Sequence, residues 1–232
     1  MTEPTSSSSK PRIDVVTLAI PRGLMKHCVP SFLAAMADRS DFHLRWLCHV
    51  DDYPGLEKYW PEECRAAEAI APQFNEFRAA FTCGHRGYGG AVSRMLELME
   101  NDVLWVEDDW DWTGKSFRMA DVLAATKDCF SFWGPTTKAG ALHPTFYRKH
   151  VFDFLRGRMP ENLATFSECL SFHILRRHFE MTGIQLLSLE ENHIGHKRMQ
   201  ELGFTHNAFG QRVGKRLHRP IWDAETESFV KQ

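Results

Sequence analysis

The chain has 232 residues, 43% of them hydrophobic and 25% charged, the balance expected of a globular protein with a sizeable core. A formal net charge of -2 excludes a chain that is basic throughout and binds polyanions by bulk attraction. No run is long and apolar enough to span a bilayer and none reads as a signal peptide, so a cytoplasmic location is expected.

Residues 1–11 are polar, include four successive serines and are expected to form a disordered tail. Residues 13–20, Ile-Asp-Val-Val-Thr-Leu-Ala-Ile, then predict a buried strand stopped by Pro21. Leu24, Cys28, Phe32, Leu33 and Met36 recur at helical spacing. A second strand is expected over 42–50, ending at Asp51-Asp52, then a weaker helix over 61–77 and a short strand over 79–83. Gly87, Gly89 and Gly90 open an amphipathic helix through Ala91, Met95, Leu96 and Met99, and 103–106 read as a strand. A helix over 119–126, a strand over 129–133, a turn with a helix over 143–156, a helix over 166–181 and a strand over 185–189 complete the pattern, which then fades into loops.

This alternation predicts a single α/β domain over 12–204, a mostly parallel sheet with helices on both faces, and a basic extension over 205–232. The six cysteines, Cys28, Cys48, Cys64, Cys83, Cys129 and Cys169, form no C-x-x-C pair and mostly sit in apolar runs, so reduced buried thiols are expected.

Val103-Leu104-Trp105-Val106-Glu107-Asp108-Asp109-Trp110-Asp111 is the most informative stretch. A strand that runs into consecutive carboxylates puts charge at the carboxyl edge of a sheet, where open α/β folds bind ligands. Continued alternation would send Glu107 and Asp109 to one side and Asp108 to the other. Convergent carboxylates repel unless a cation lies between them, and a hard divalent ion with positions left for diphosphate oxygens answers that need. A solvated acidic turn is the plainer reading, but three flanking tryptophans, Trp105, Trp110 and Trp112, argue against it.

The stretch resembles the DxD-type motif of GT-A glycosyltransferases of the family-2-like kind, here written Glu-Asp-Asp. Asp51-Asp52 resembles the acid pair that holds base and ribose, and Arg86-Gly87-Tyr88-Gly89-Gly90-Ala91 the segment before the motif. The resemblance implies Asp109 as metal ligand, Glu107 and Asp108 on ribose or donor sugar, and Asp51 and Arg86 on the donor. It also implies Ala19, Pro21 and Arg22 lining the base pocket. His193, in a His-Ile-Gly context, matches the histidine that completes the metal shell in several such families, and an imidazole favours Mn2+ over Mg2+. Glu168 stands where the catalytic carboxylate of inverting enzymes falls, although Cys169 replaces the usual aspartate. A glutamate in a helix's first turn also suits the helix dipole alone. Phe132-Trp133-Gly134-Pro135 and Gly140-Ala141-Leu142-His143 bracket an acceptor-side loop, where Trp133 could stack on a sugar or a base, with burial the alternative fate of the tryptophan.

From 193 to 220 the charged residues are Lys197, Arg198, Arg212, Lys215, Arg216 and Arg219 against the single acid Glu201. Lys197 or Arg198 is a candidate to neutralise a leaving diphosphate. The expected function is therefore transfer of a sugar from a nucleotide donor, a UDP-sugar first, to a hydroxyl. The acceptor could be a glycan, a protein or a hydroxymethylated DNA base. Two alternatives stand beside it. A nucleotidyltransferase would carry a glycine-rich, lysine-bearing end to its first strand, where this chain reads Ala19-Ile20-Pro21-Arg22-Gly23. A nucleic-acid-binding module using the basic tail leaves the acid cluster unexplained.

Overall fold

Strand β1 (Arg12–Ala19) is buried in every residue after Arg12, as its aliphatic and β-branched side chains require. Here and below the description rests on a computed structural model and covers residues 9–82, 87–112, 116–126, 130–132, 145–156, 181–182, 191–193, 197–198, 201–203, 221–223 and 228–230. Helix α1 (Met25–Ala35) follows and buries Met25, Cys28, Val29, Phe32 and Leu33. Strand β2 (His43–Asp51) then runs parallel to β1, from Arg12 opposite His43 to Ala19 opposite Val50.

Helix α2 (Trp60–Ile70) is shorter than the periodicity predicts. Residues 71–73 form one 3-10 turn containing Pro72, and Phe74 is already extended. Phe74 and Phe77 keep a helical spacing but stack on Trp46 of β2, with ring centroids 5.0 and 5.1 Å away. Packing on that buried indole overrides the local pattern, and β3 (Glu76–Thr82) begins three residues earlier than expected, parallel to β2. Helix α3 (Gly87–Leu98) leads to β4 (Asp102–Trp105), which lies parallel to β1 on its other side.

Beyond β4 come β5 (Trp110–Trp112), α4 (Met119–Ala125), β6 (Phe130–Phe132), β7 (Thr145–Tyr147), α5 (Lys149–Arg156), β8 (Met181–Thr182) and β9 (Glu191–His193). The main sheet has seven strands in the order β3-β2-β1-β4-β7-β6-β8. It is parallel from β3 to β4, while β7 is antiparallel to both β4 and β6. Helices flank this sheet, α1 packing with α2 and α3 with α5. The chain is thus the expected α/β architecture with a mostly parallel core. β7 takes the segment read as a turn, because its three residues are too few to show alternation. β9, in the segment read as loop, pairs antiparallel with β5. Residues 1–8 of the predicted tail over 1–11 and the predicted strand over 185–189 lie outside the described residues, as does the predicted helix over 166–181 apart from Met181, which belongs to β8 instead.

At the amino-terminal end of the sheet, Asp14 is fully buried and holds three segments together. It accepts bonds from Arg45 Nε and Nη2 (2.9 and 2.8 Å), the Glu100 amide (2.7 Å) and Asn101 Nδ2 (2.8 Å). Burial alone would raise its pKa, but Arg45, Asn101 and the backbone donors outweigh burial and hold it below the usual value.

The chain divides into two compact units, one ending at Gly195 and one running from His196 to Gln232. Within the second, β10 (Ile221–Asp223) and β11 (Ser228–Val230) form an antiparallel pair.

Candidate functional site

β1, β2 and β4 are parallel neighbours, so the chain leaving each emerges at one carboxyl edge. β1 has β2 on one side and β4 on the other, the switch in strand order at which open α/β sheets bind their ligands. β4 ends at Trp105 opposite Val16, and the Val106 amide continues the pairing to the Val16 carbonyl at 2.8 Å. The next residues are Glu107, Asp108 and Asp109, with a turn at the two aspartates before β5.

The turn meets the loop that follows β1. Arg22 is only 6% exposed and reaches both aspartates, Nη2 to Asp108 Oδ1 at 2.5 Å and Nη1 to Asp109 Oδ2 at 3.0 Å. Gly23 has a left-handed φ of 71°. Its amide donates to Oε2 of Glu63 on α2 at 2.7 Å. Glu63 is buried, and among the described residues its Oε1 and Asp108 Oδ2 are buried oxygens without a hydrogen-bond partner. Trp110 Nε1 donates to Glu107 Oε2 at 2.8 Å.

This corrects the expected alternation of the three acids. Strand geometry stops at Trp105, and in the turn Asp108 and Asp109 converge on one guanidinium while Glu107 turns to Trp110. Their mutual repulsion is offset by a cation that the chain itself supplies. Burial pushes the Asp108 carboxyl up to about 7; Arg22 pulls it down, while Asp109 and Glu63 add to the rise. Burial also raises Glu63, against the pull of the Gly23 amide. Arg22 is held well above its ordinary value, because the two aspartates outweigh its desolvation.

Ala19 is buried at the end of β1, Pro21 and Arg22 are buried in the loop after it, and Asp51 is buried at the end of β2, its Oδ1 3.9 Å from His49 Nε2. The β5–β9 pairing sets the His193 backbone opposite Trp110, the residue after Asp109. Lys197 is exposed and belongs to the second unit. Arg86, Trp133, Gly134 and Glu168 lie outside the described residues. Among the described residues, no three His, Cys, Asp or Glu side chains gather as a metal cluster. Glu63 was missed by sequence reasoning, yet it carried a signal. It shares the buried stripe of α2 with Ala67 and Ile70, at i, i+4 and i+7.

No protein-family model matches the chain, and no curated protein matches its sequence. Among solved structures it is similar to the mannosyltransferase PcManGT from Pyrobaculum calidifontis in complex with GDP-Man and Mn2+ (TM-score 0.56, 12% identity, 76% of this chain and 55% of that one). It is also similar to S. aureus TarS 1-349 (TM-score 0.58, 12% identity, 82% of this chain and 63% of that one). A putative glucose-1-phosphate thymidylyltransferase from Bacillus anthracis is a further likeness (TM-score 0.53, 12% identity, 88% of this chain and 97% of that one). The chain therefore spans 55% to 63% of the first two structures. These likenesses are of fold, and the fold is that of GT-A-like transferases.

Proposed function

We propose that this chain is a metal-dependent glycosyltransferase that moves a sugar from a nucleotide-sugar to an acceptor hydroxyl. One observation carries the reading: the Glu107-Asp108-Asp109 turn lies at the carboxyl end of β4, beside the β1 loop, at the switch point of a GT-A-like sheet. The neighbour with GDP-Man and Mn2+, and a TarS structure in complex with UDP, support a nucleotide-sugar donor.

This reading draws the ion's donors from the turn and from the strand paired with it. Asp109 offers a carboxylate, the β5–β9 register brings the backbone of His193 within one residue of it, and a buried Asp108 oxygen has no hydrogen-bond partner among the described residues. Asp109 and His193 would hold the ion, with Mn2+ preferred over Mg2+ for the imidazole. When bound, the ion supplies positive charge to the departing diphosphate. Asp51, Ala19, Pro21 and Arg86 hold the nucleotide end, and Glu107 and Asp108 orient ribose or sugar. Glu168 takes the acceptor proton as the new bond forms at the anomeric carbon and the nucleoside diphosphate leaves, an inverting transfer. Trp133 and Gly134 line the acceptor side.

The test is a screen of UDP- and GDP-sugars with Mn2+, read as donor hydrolysis and thermal shift. Turnover is expected to fall by about a hundredfold or more in Asp109→Ala, the scale for losing an electrostatic stabiliser. Nucleotide binding indifferent to both Mn2+ and Asp109 would sink the reading. The thymidylyltransferase likeness, which covers most of that chain, favours a second reading, nucleotidyl transfer. Pyrophosphate release from a nucleoside triphosphate and a sugar 1-phosphate would select it. With a donor known, hydroxymethylated DNA, glycans and proteins can be tried in turn as acceptors.

A further inference from the structure

Arg22 does more than line a pocket. Its guanidinium bonds both aspartates of the turn, from a loop 86 and 87 residues away in sequence. Its head group is almost wholly removed from water, so its charge acts on Asp108 and Asp109 with little screening. A divalent ion bound by Asp109 would lie close to that charge and be repelled by it. We propose that Arg22 is a positioning residue that acts as the resident counter-cation of the acid turn, holding Asp108 and Asp109 together and lowering the affinity of Asp109 for a free divalent cation. This rests on the reading of the turn as the metal-bearing donor site.

The consequence is directional. Without nucleotide, the Arg22 guanidinium already sits between Asp108 and Asp109, and an added ion gains little. A nucleoside diphosphate brings anionic charge that offsets the crowding of cations, so metal and nucleotide bind best together. Removing the guanidinium's charge should strengthen binding of the metal alone, and a purely structural role would not do that.

The experiment is a titration of the full-length chain with Mn2+ alone, followed by the paramagnetic resonance of the free ion, for wild type, Arg22→Gln, Arg22→Lys and Arg22→Gln/Asp109→Asn. Arg22→Gln is expected to bind Mn2+ about tenfold or more tightly than wild type. Arg22→Lys keeps the charge and should stay near wild type. The double variant should lose the gain, which locates the ion at the turn. Unchanged or weaker Mn2+ binding by Arg22→Gln overturns the proposal, as does a gain that survives Asp109→Asn. If Arg22→Gln fails to fold by circular dichroism, the same comparison is made with Asp108→Asn/Arg22→Gln, which leaves no unpaired carboxylate at position 108. A parallel titration with UDP or GDP at fixed Mn2+ separates the two claims. Absence of nucleotide binding by wild type counts against the glycosyltransferase reading, while the metal-only comparison decides the role of Arg22.

Discussion

At the scale of single residues, two buried ion pairs mark the two ends of β1, and they serve different ends. Asp14 with Arg45 stabilises the fold, since both are essentially unexposed and Asp14 also takes the Glu100 and Asn101 amides. Breaking such a pair leaves a buried charge, so Asp14→Ala is expected to cost about 3–5 kcal/mol in urea unfolding. The lower end is expected because Arg45 keeps Glu100 Oε2 at 2.9 Å and the Leu98 carbonyl at 3.1 Å. The pH dependence has a definite sign. The folded-state pKa of Asp14 lies below its ordinary 3.8, so its contribution is complete above that value and is lost as pH falls through the folded value. The stability gap between wild type and Asp14→Asn should therefore narrow below pH 3.8. A gap that widens on acidification would contradict the assignment. The acids themselves were legible from the sequence. Which cation each one meets was not, because Arg22 and Asp108 are brought together only by the pairing of β1 with β4.

At the scale of elements, the turn is held from outside by α1 and its surroundings. Ser31 of α1 accepts the Trp112 amide at 3.0 Å, and Phe32 packs edge-on against Trp112 and tilted against Phe117. The short helix α4 begins without a local side-chain cap. Asp38, far back in the chain, supplies one, its two oxygens accepting the Met119 and Ala120 amides at 2.7 and 2.9 Å. Asp38→Ala should cost about 1–2 kcal/mol, the range for a lost cap. For a chain of this size that is a fall in Tm of roughly 2–8 °C by calorimetry. An unchanged Tm would mean that the cap contributes nothing. The longer elements were readable from periodicity. The three-residue strands β5, β7 and β9 were not, since their existence depends on a partner strand and not on local pattern.

At the scale of the whole molecule, the proposed donor site is an edge shared by segments far apart in the chain, so binding of a donor there should stabilise the fold. At a nucleotide concentration about a hundredfold above Kd, with Mn2+ present, the gain is about 2.7 kcal/mol. The expected rise in Tm is roughly 5–10 °C, and Asp109→Ala should abolish it. A rise of the same size in that variant would move the ligand away from the turn. By itself the sequence determined the alternation of strands and helices and the burial of β1 and β2. It also determined the position of Glu107-Asp108-Asp109 just after an apolar strand, because hydrophobic periodicity and local charge are properties of neighbouring residues. Only the tertiary structure decided the strand order, the partnership of β5 with β9, and the capture of Asp108 and Asp109 by Arg22. Those depend on which parallel strands lie side by side, and thus on burial and long-range pairing that no local window contains.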